Sequence, residues 1–206
     1  MAKTTLKHKT ALILGADCPA GRASALQLSR EGCHVILAGH DSRRLSLLAE
    51  LIRNKGGDPL EAVLSRDEDR ITTELRHQRD TMGHLHFVIN AIAAQEGPVD
   101  EPQRPFEDAR ICQRLTLDLS SGRGNVRLVT LWPDAAGTPP ESPAGMFSCL
   151  IRVAHIQLEH DGAESEADDA VVVRAGAAAD AVVHLLQCPP GACPVEVRVE
   201  PREVKG

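Results

Sequence analysis

A doubly wound α/β domain built on a parallel sheet is predicted from three features of the sequence. Strand-like and helix-like segments alternate from the N-terminus onward. The strand segments are continuous apolar runs, as expected of strands covered on both faces. The first run ends in a turn framed by Gly15 and Gly21. The chain's 206 residues are read as one domain spanning 1–206, large enough to bury a substantial core.

The elements follow in order. Lys9 to Leu14 is an apolar run ending at Gly15 and reads as a buried strand. Gly21 to Glu31 reads as a helix closed by Gly32. His34 to Ala38 is a second buried strand. Ser42 to Asn54 is helical, with Leu45, Leu48, Leu51 and Ile52 on one face and Gly56-Gly57 as its stop. Leu60 to Leu64 is a short strand, Asp69 to Met82 a helix and Leu85 to Asn90 a fourth strand. Gly97 to Phe106 is Pro-rich and acidic, hence a loop. A helix over Glu107 to Leu119 and a strand over Asn125 to Leu131 come next, then a Gly- and Pro-rich loop over Pro133 to Pro143. The last four elements expected are a helix over Met146 to Leu158, a strand over Ala170 to Arg174, a helix over Ala177 to Gln187 and a strand over Val195 to Val199.

Composition narrows the functional classes. Hydrophobic residues make up 42% and charged residues 25%, ordinary for a globular chain. With 23 basic and 29 acidic side chains the net charge is -6, which argues against a nucleic-acid or anionic-membrane surface. No apolar run approaches the roughly 20 residues that span a bilayer. The N-terminal apolar stretch reads as a strand rather than a leader, so a cytoplasmic protein is expected. Cys18, Cys33, Cys112, Cys149, Cys188 and Cys193 lie in apolar contexts and read as buried thiols of a reducing compartment. His184, Cys188 and Cys193 lack a fourth ligand and flank Pro189-Pro190, which suits a surface turn; no metal site is expected.

Strand, Gly15, turn and then Gly21 opening a helix is the arrangement that holds a pyrophosphate in dinucleotide folds. The spacing Gly15-Ala-Asp-Cys-Pro-Ala-Gly21 resembles the TGxxxGxG loop of the short-chain dehydrogenase/reductase family. HVILAGHDSRRL is similar to that family's second strand and following turn, and LHFVINAIA to its fourth strand and NNAG motif. VRLVTLW is similar to the strand ending in the catalytic serine, and AADAVVHLLQCPPGACPVEVRVEP to the final helix and strand. The resemblance implies a Rossmann-like sheet, truncated relative to usual members.

The same resemblance implies lost chemistry. The family uses a tyrosine to exchange a proton, a lysine four residues on to lower its pKa and a serine to hold the substrate oxygen. The matching segment is read as Phe147-Ser-Cys-Leu-Ile151, expected on a helix, and the serine region as Thr130-Leu131-Trp132-Pro133. Phe147, Ile151 and Trp132 are thus taken as degenerate catalytic positions. The chain has no tyrosine, and no lysine between Lys55 and Lys205. Ser148 reads as a helix-surface hydroxyl.

Cofactor positions look vestigial. Gly15, Gly21 and Asn90 are kept, but Pro19 stands at the middle glycine and brings no N–H. Asp17 puts a carboxylate near the phosphate position, or caps the helix with Pro19 in its first turn. Gly39 and His40 stand where an acidic ribose ligand is expected, Ser65 replaces an aspartate, and Ala91, Ile92 and Ala93 follow Asn90. No cofactor is expected in this chain, with NAD or NADP in a catalytic partner.

Shortened middle helices, and Arg174-Ala175-Gly176 leading straight into the last helix, suggest that substrate-covering loops are gone. The leading expectation is a non-catalytic subunit. It would join a catalytic homologue, an NAD(P)-dependent alcohol dehydrogenase, in a hetero-oligomer through the last helix and strand. An acyl-CoA of aromatic-compound degradation is the substrate class considered for that partner. Two other readings stay open: a sensor binding NADP beside Gly39 and Arg43, and an oxidoreductase using His155 or His160 as acid.

Overall fold

The computed structural model describes residues 4–64, 84–92, 126–133, 147–153, 164–189 and 196–199, with isolated residues between them. Seven strands form one parallel sheet: β1 (Thr10–Leu14), β2 (His34–Gly39), β3 (Leu60–Val63), β4 (Phe87–Asn90), β5 (Arg127–Pro133), β6 (Phe147–Val153) and β7 (Glu196–Val199). Their spatial order is β3-β2-β1-β4-β5-β6-β7. Three helices are described: α1 (Pro19–Arg30), α2 (Ser42–Arg53) and α3 (Glu164–Gln187). The helices expected over Asp69–Met82 and Glu107–Leu119 fall mostly outside the described residues, and the loop over Gly97–Phe106 wholly so.

Register follows from the hydrophobic pattern. Leu12 pairs with Ile36 on β2 and with Val88 on β4, so the central strands are apolar on both faces. Ile13, Leu37, Ile89, Leu131 and Ile151 face the layer of α1, α2 and α3, where Leu28, Leu45, Leu48, Ile52, Val182 and Leu186 complete one core. Leu12, Leu14, Ile36, Val88 and Leu128 build a second core on the opposite face.

Helix ends obey local chemistry. Asp41 caps α2, its Oδ1 accepting from the Arg44 N–H at 3.0 Å. Gly32 and Gly56, at φ +81° and +84°, end the turns after α1 and α2 where a Cβ would be strained. At the far end, the Arg127 guanidinium donates to the carbonyls of Leu185, Leu186 and Cys188 and satisfies the C-terminus of α3.

Two expected elements are corrected. Phe147 to Val153 is a strand and not the start of a helix. Cys149 and Ile151 are buried while Ser148, Leu150 and Arg152 are half-buried, a period-two pattern that suits a strand between β5 and β7. Ala170 to Arg174 is not a strand; it lies inside α3, where the alanine-rich turns that follow propagate one helix through a short β-branched run. Arg174, Ala175 and Gly176 are therefore helical, and the expected direct passage from strand to last helix does not occur there. No helix among the described residues is long and apolar enough to cross a membrane.

Candidate functional site

Strand crossovers leave β1 toward β2 and β4 toward β5, so the sheet reverses direction between β1 and β4. In such sheets ligands enter the crevice beyond the strand ends at this switch point. The crevice here is bounded by the β1–α1 turn, the end of β2 and the end of β4.

The β1–α1 turn is closed on itself. Gly15 and Ala16 donate their N–H groups to Ala38 O at 2.8 and 2.9 Å, and Cys18 N–H donates to Gly15 O at 3.1 Å. Gly21 N–H donates to the Cys18 Sγ at 3.3 Å, and that thiol donates to Ala91 O at 3.5 Å. Pro19 is the first residue of α1 and has no N–H. The N–H groups of Gly15, Ala16, Cys18 and Gly21, at the position where dinucleotide folds cradle a phosphate, are thus engaged within the chain. Burial pushes the Cys18 thiol up to about 11, so it is neutral and acts as a plug between α1 and β4.

Both framing glycines are required by space. A Cβ on Gly21 would sit 2.0 Å from Gly15 O. Gly15 has φ +78°, and its Cβ would meet Ile92 N at 2.9 Å. Asn90 is fully buried; its Oδ1 accepts from Ile92 N–H at 3.2 Å, while its Nδ2 is the one buried polar side-chain atom without a partner among the described residues.

Asp17 does not cap α1. Cys18 occupies the cap position. The Asp17 Oδ2 instead accepts from the N–H groups of His40 at 2.8 Å and Asp41 at 2.9 Å. Its carboxylate fills the space over Gly39, where a Cβ would lie 2.5 Å from Oδ1. Two successive N–H groups at the head of α2 thus converge on one carboxylate oxygen, a favourable site for an anion. The sequence signal was the pairing of a bare Gly39 with an acidic residue in the facing turn, and it is visible only once β1 and β2 are adjacent. His40 turns its ring away, with Nδ1 against Leu64 O at 3.0 Å.

A dinucleotide cofactor, implied by the resemblance, is tested by these contacts. The adenosine end holds Asp17 over Gly39, and the phosphate turn has the N–H groups of Gly15, Ala16, Cys18 and Gly21 engaged. The residues present do not fit a dinucleotide bearing a 2′-phosphate.

The expected catalytic positions are not brought together. Phe147 and Ile151 lie in β6, in register with Arg127 and Leu131 of β5, so they stand on a strand and not on the helix expected to carry them. The residues joining β5 to β6, 134–146, contain neither tyrosine nor lysine. Trp132 is fully buried near the end of β5, where a serine hydroxyl was sought. Ser148 lies on β6 rather than on a helix. Ser65, Ala93, His155 and His160 lie outside the described residues. Among the described residues no group of three His, Cys, Asp or Glu side chains could hold a metal ion.

Comparison with known proteins places this architecture. A short-chain dehydrogenase from Mycobacterium smegmatis superposes with a TM-score of 0.71 at 14% identity, covering 98% of this chain and 96% of that one. A metagenomic short-chain oxidoreductase solved with NADP gives 0.70 at 14% identity, over 96% and 99% of the two chains. A citronellol catabolism dehydrogenase of Pseudomonas aeruginosa gives 0.68 at 19% identity, over 97% and 96%. The chain has the fold of the short-chain dehydrogenases. By sequence, two uncharacterized oxidoreductases of Staphylococcus epidermidis are each 31% identical over 94 residues, which is 44% of this chain and 38% of theirs. The match therefore spans well under half the length of those relatives. No family model matches the chain.

Proposed function

We propose that this chain is a degenerate short-chain dehydrogenase homologue that has no catalysis of its own and pairs with a catalytic homologue carrying the nucleotide. The observation that carries the reading is the absence of any tyrosine from the chain and of any lysine between Lys55 and Lys205. Without that pair the proton-exchanging groups that the resemblance implies are missing, a contribution worth about 10² to 10⁴-fold. Arg127, Arg152 and Arg198 are cations on the C-terminal half of the sheet, but guanidinium does not give up its proton. The self-closed β1–α1 turn supports the same reading.

The partner surface proposed is α3 with β7. Among the described strands β7 has a neighbour on one side only, and such an edge accepts a further chain. A catalytic homologue presents a matching edge, giving a mixed dimer or a two-plus-two tetramer. The arrangement resembles (hydroxyphenylmethyl)succinyl-CoA dehydrogenase of anaerobic toluene degradation, built from a catalytic and a degenerate chain. On that resemblance the partner oxidises an alcohol carried on an acyl-CoA. The NADP-sensor reading loses the support of Gly39 and Arg43, because Asp17 takes the space over Gly39.

The test is turnover by the purified chain alone, offered NAD or NADP with alcohol and ketone substrates. No turnover is expected. Reproducible turnover that disappears on substitution within the crevice overturns the proposal.

A further inference from the structure

The adenosine end of the crevice is a place where the chain supplies its own anion. Dinucleotide folds place an acidic residue near the end of the second strand to accept from a ribose 2′-hydroxyl, or a nearby arginine to accommodate a 2′-phosphate. Here the end of β2 is Gly39, which offers no side chain, and the carboxylate comes from Asp17 on the facing turn. Its Oδ2 lies 2.8 and 2.9 Å from the N–H groups of His40 and Asp41, and its Oδ1 lies over the Gly39 Cα.

The surrounding charges reinforce that occupancy. Asp41 is committed to the cap of α2, and the same carboxylate pairs with Arg44, its Oδ2 lying 3.4 Å from the guanidinium Nε. Arg44 is thereby partly neutralised, and Arg43 is exposed at the helix start. Among the described residues, an incoming phosphomonoester would meet two carboxylates and displace one of them from two backbone donors, with Arg43 the exposed cation at the head of α2.

We propose that Asp17 is a built-in occupant of this end of the crevice, a stand-in for a ligand's anionic group that excludes nucleotides bearing a 2′-phosphate. The consequence is independent of the pairing proposed above: the turn between β2 and α2 is held in its folded form without a nucleotide. A ribose with free hydroxyls is not rejected by the same contact, because a carboxylate accepts from hydroxyl donors.

The experiment compares two probes, adenosine 2′,5′-bisphosphate and adenosine 5′-monophosphate, titrated calorimetrically into wild type, Asp17→Gly and Asp17→Asn. The wild type is expected to show no saturable binding of the bisphosphate. Asp17→Gly is expected to gain about tenfold or more in affinity for the bisphosphate, with little change for the monophosphate. The gain should shrink as salt is raised. Asp17→Asn keeps an acceptor and the side-chain shape while removing the charge, so it is expected to gain less than Asp17→Gly. It also stands as the test if the glycine variant does not fold. A wild type that binds the bisphosphate as tightly as the folded variants overturns the proposal, as does a folded variant that gains nothing.

Discussion

At Asp17 a single carboxylate ties the first turn of the fold to the second, through the N–H groups of His40 and Asp41. Asp17→Ala leaves two backbone donors without their anion and is expected to cost about 1–3 kcal/mol in urea unfolding, with Asp17→Asn losing less. His86 makes a second prediction. Its Nδ1 accepts from the Thr10 N–H at 3.1 Å, which only an unprotonated ring nitrogen can do. Burial, then the charges of Lys9 and His84, hold its pKa below the usual 6.5. The unfolded chain therefore takes up that proton more readily than the folded one. The contribution is present above about 6.5 and is lost as pH falls through the folded-state value. The urea midpoint should drop between about pH 7.5 and pH 5.5, and the drop should be smaller in His86→Gln, whose amide oxygen accepts without titrating. Identical pH profiles for the two proteins would remove His86 as the cause.

Element boundaries were legible where local chemistry decides them. β1, α1, β2 and α2 lie within about two residues of their expected spans, because apolar runs are bounded by Gly15, Gly32, Asp41 and Gly56. The segment Phe147–Val153 was not legible, since a resemblance to a helical motif outweighed its alternation of buried and half-buried residues. Residues Ala170 to Arg174 failed for the opposite reason: three valines suggest a strand, but the helix around them is twenty-four residues long and cooperative. The glycine frame of the site was visible in the sequence, whereas the grip of Asp17 on β2 was not, because it joins residues separated by a helix and a strand. At this scale Gly21→Ala drives a methyl to 2.0 Å from Gly15 O and should cost about 2–4 kcal/mol by thermal or urea denaturation. Arg127→Met keeps bulk but removes the donor serving three carbonyls of the α3 terminus; about 1–3 kcal/mol is expected, with unchanged binding of the nucleotide probes.

For the whole molecule, the doubly wound parallel sheet expected from alternating elements is the one observed, with β3 and β7 at its two ends. Gln27 of α1 donates to Asp180 of α3 at 2.9 Å, and the last helix is packed across the first rather than left as an appendage. β7 is the more consequential edge. Val197 is in register with Ile151 of β6, and Arg152 pairs with Glu196 across the same two strands, so β7 is anchored on its inner side. Val197→Pro should weaken the ladder and abolish association with a partner while the β1–β6 core keeps its circular dichroism. The most direct measurement is native mass spectrometry of this chain co-expressed with catalytic short-chain dehydrogenase homologues from its own source. A mixed assembly that retains dehydrogenase activity, and is lost in Val197→Pro, is the predicted result. A wild-type chain recovered only as a monomer, with every co-expressed dehydrogenase homologue fully assembled and active without it, would contradict the account.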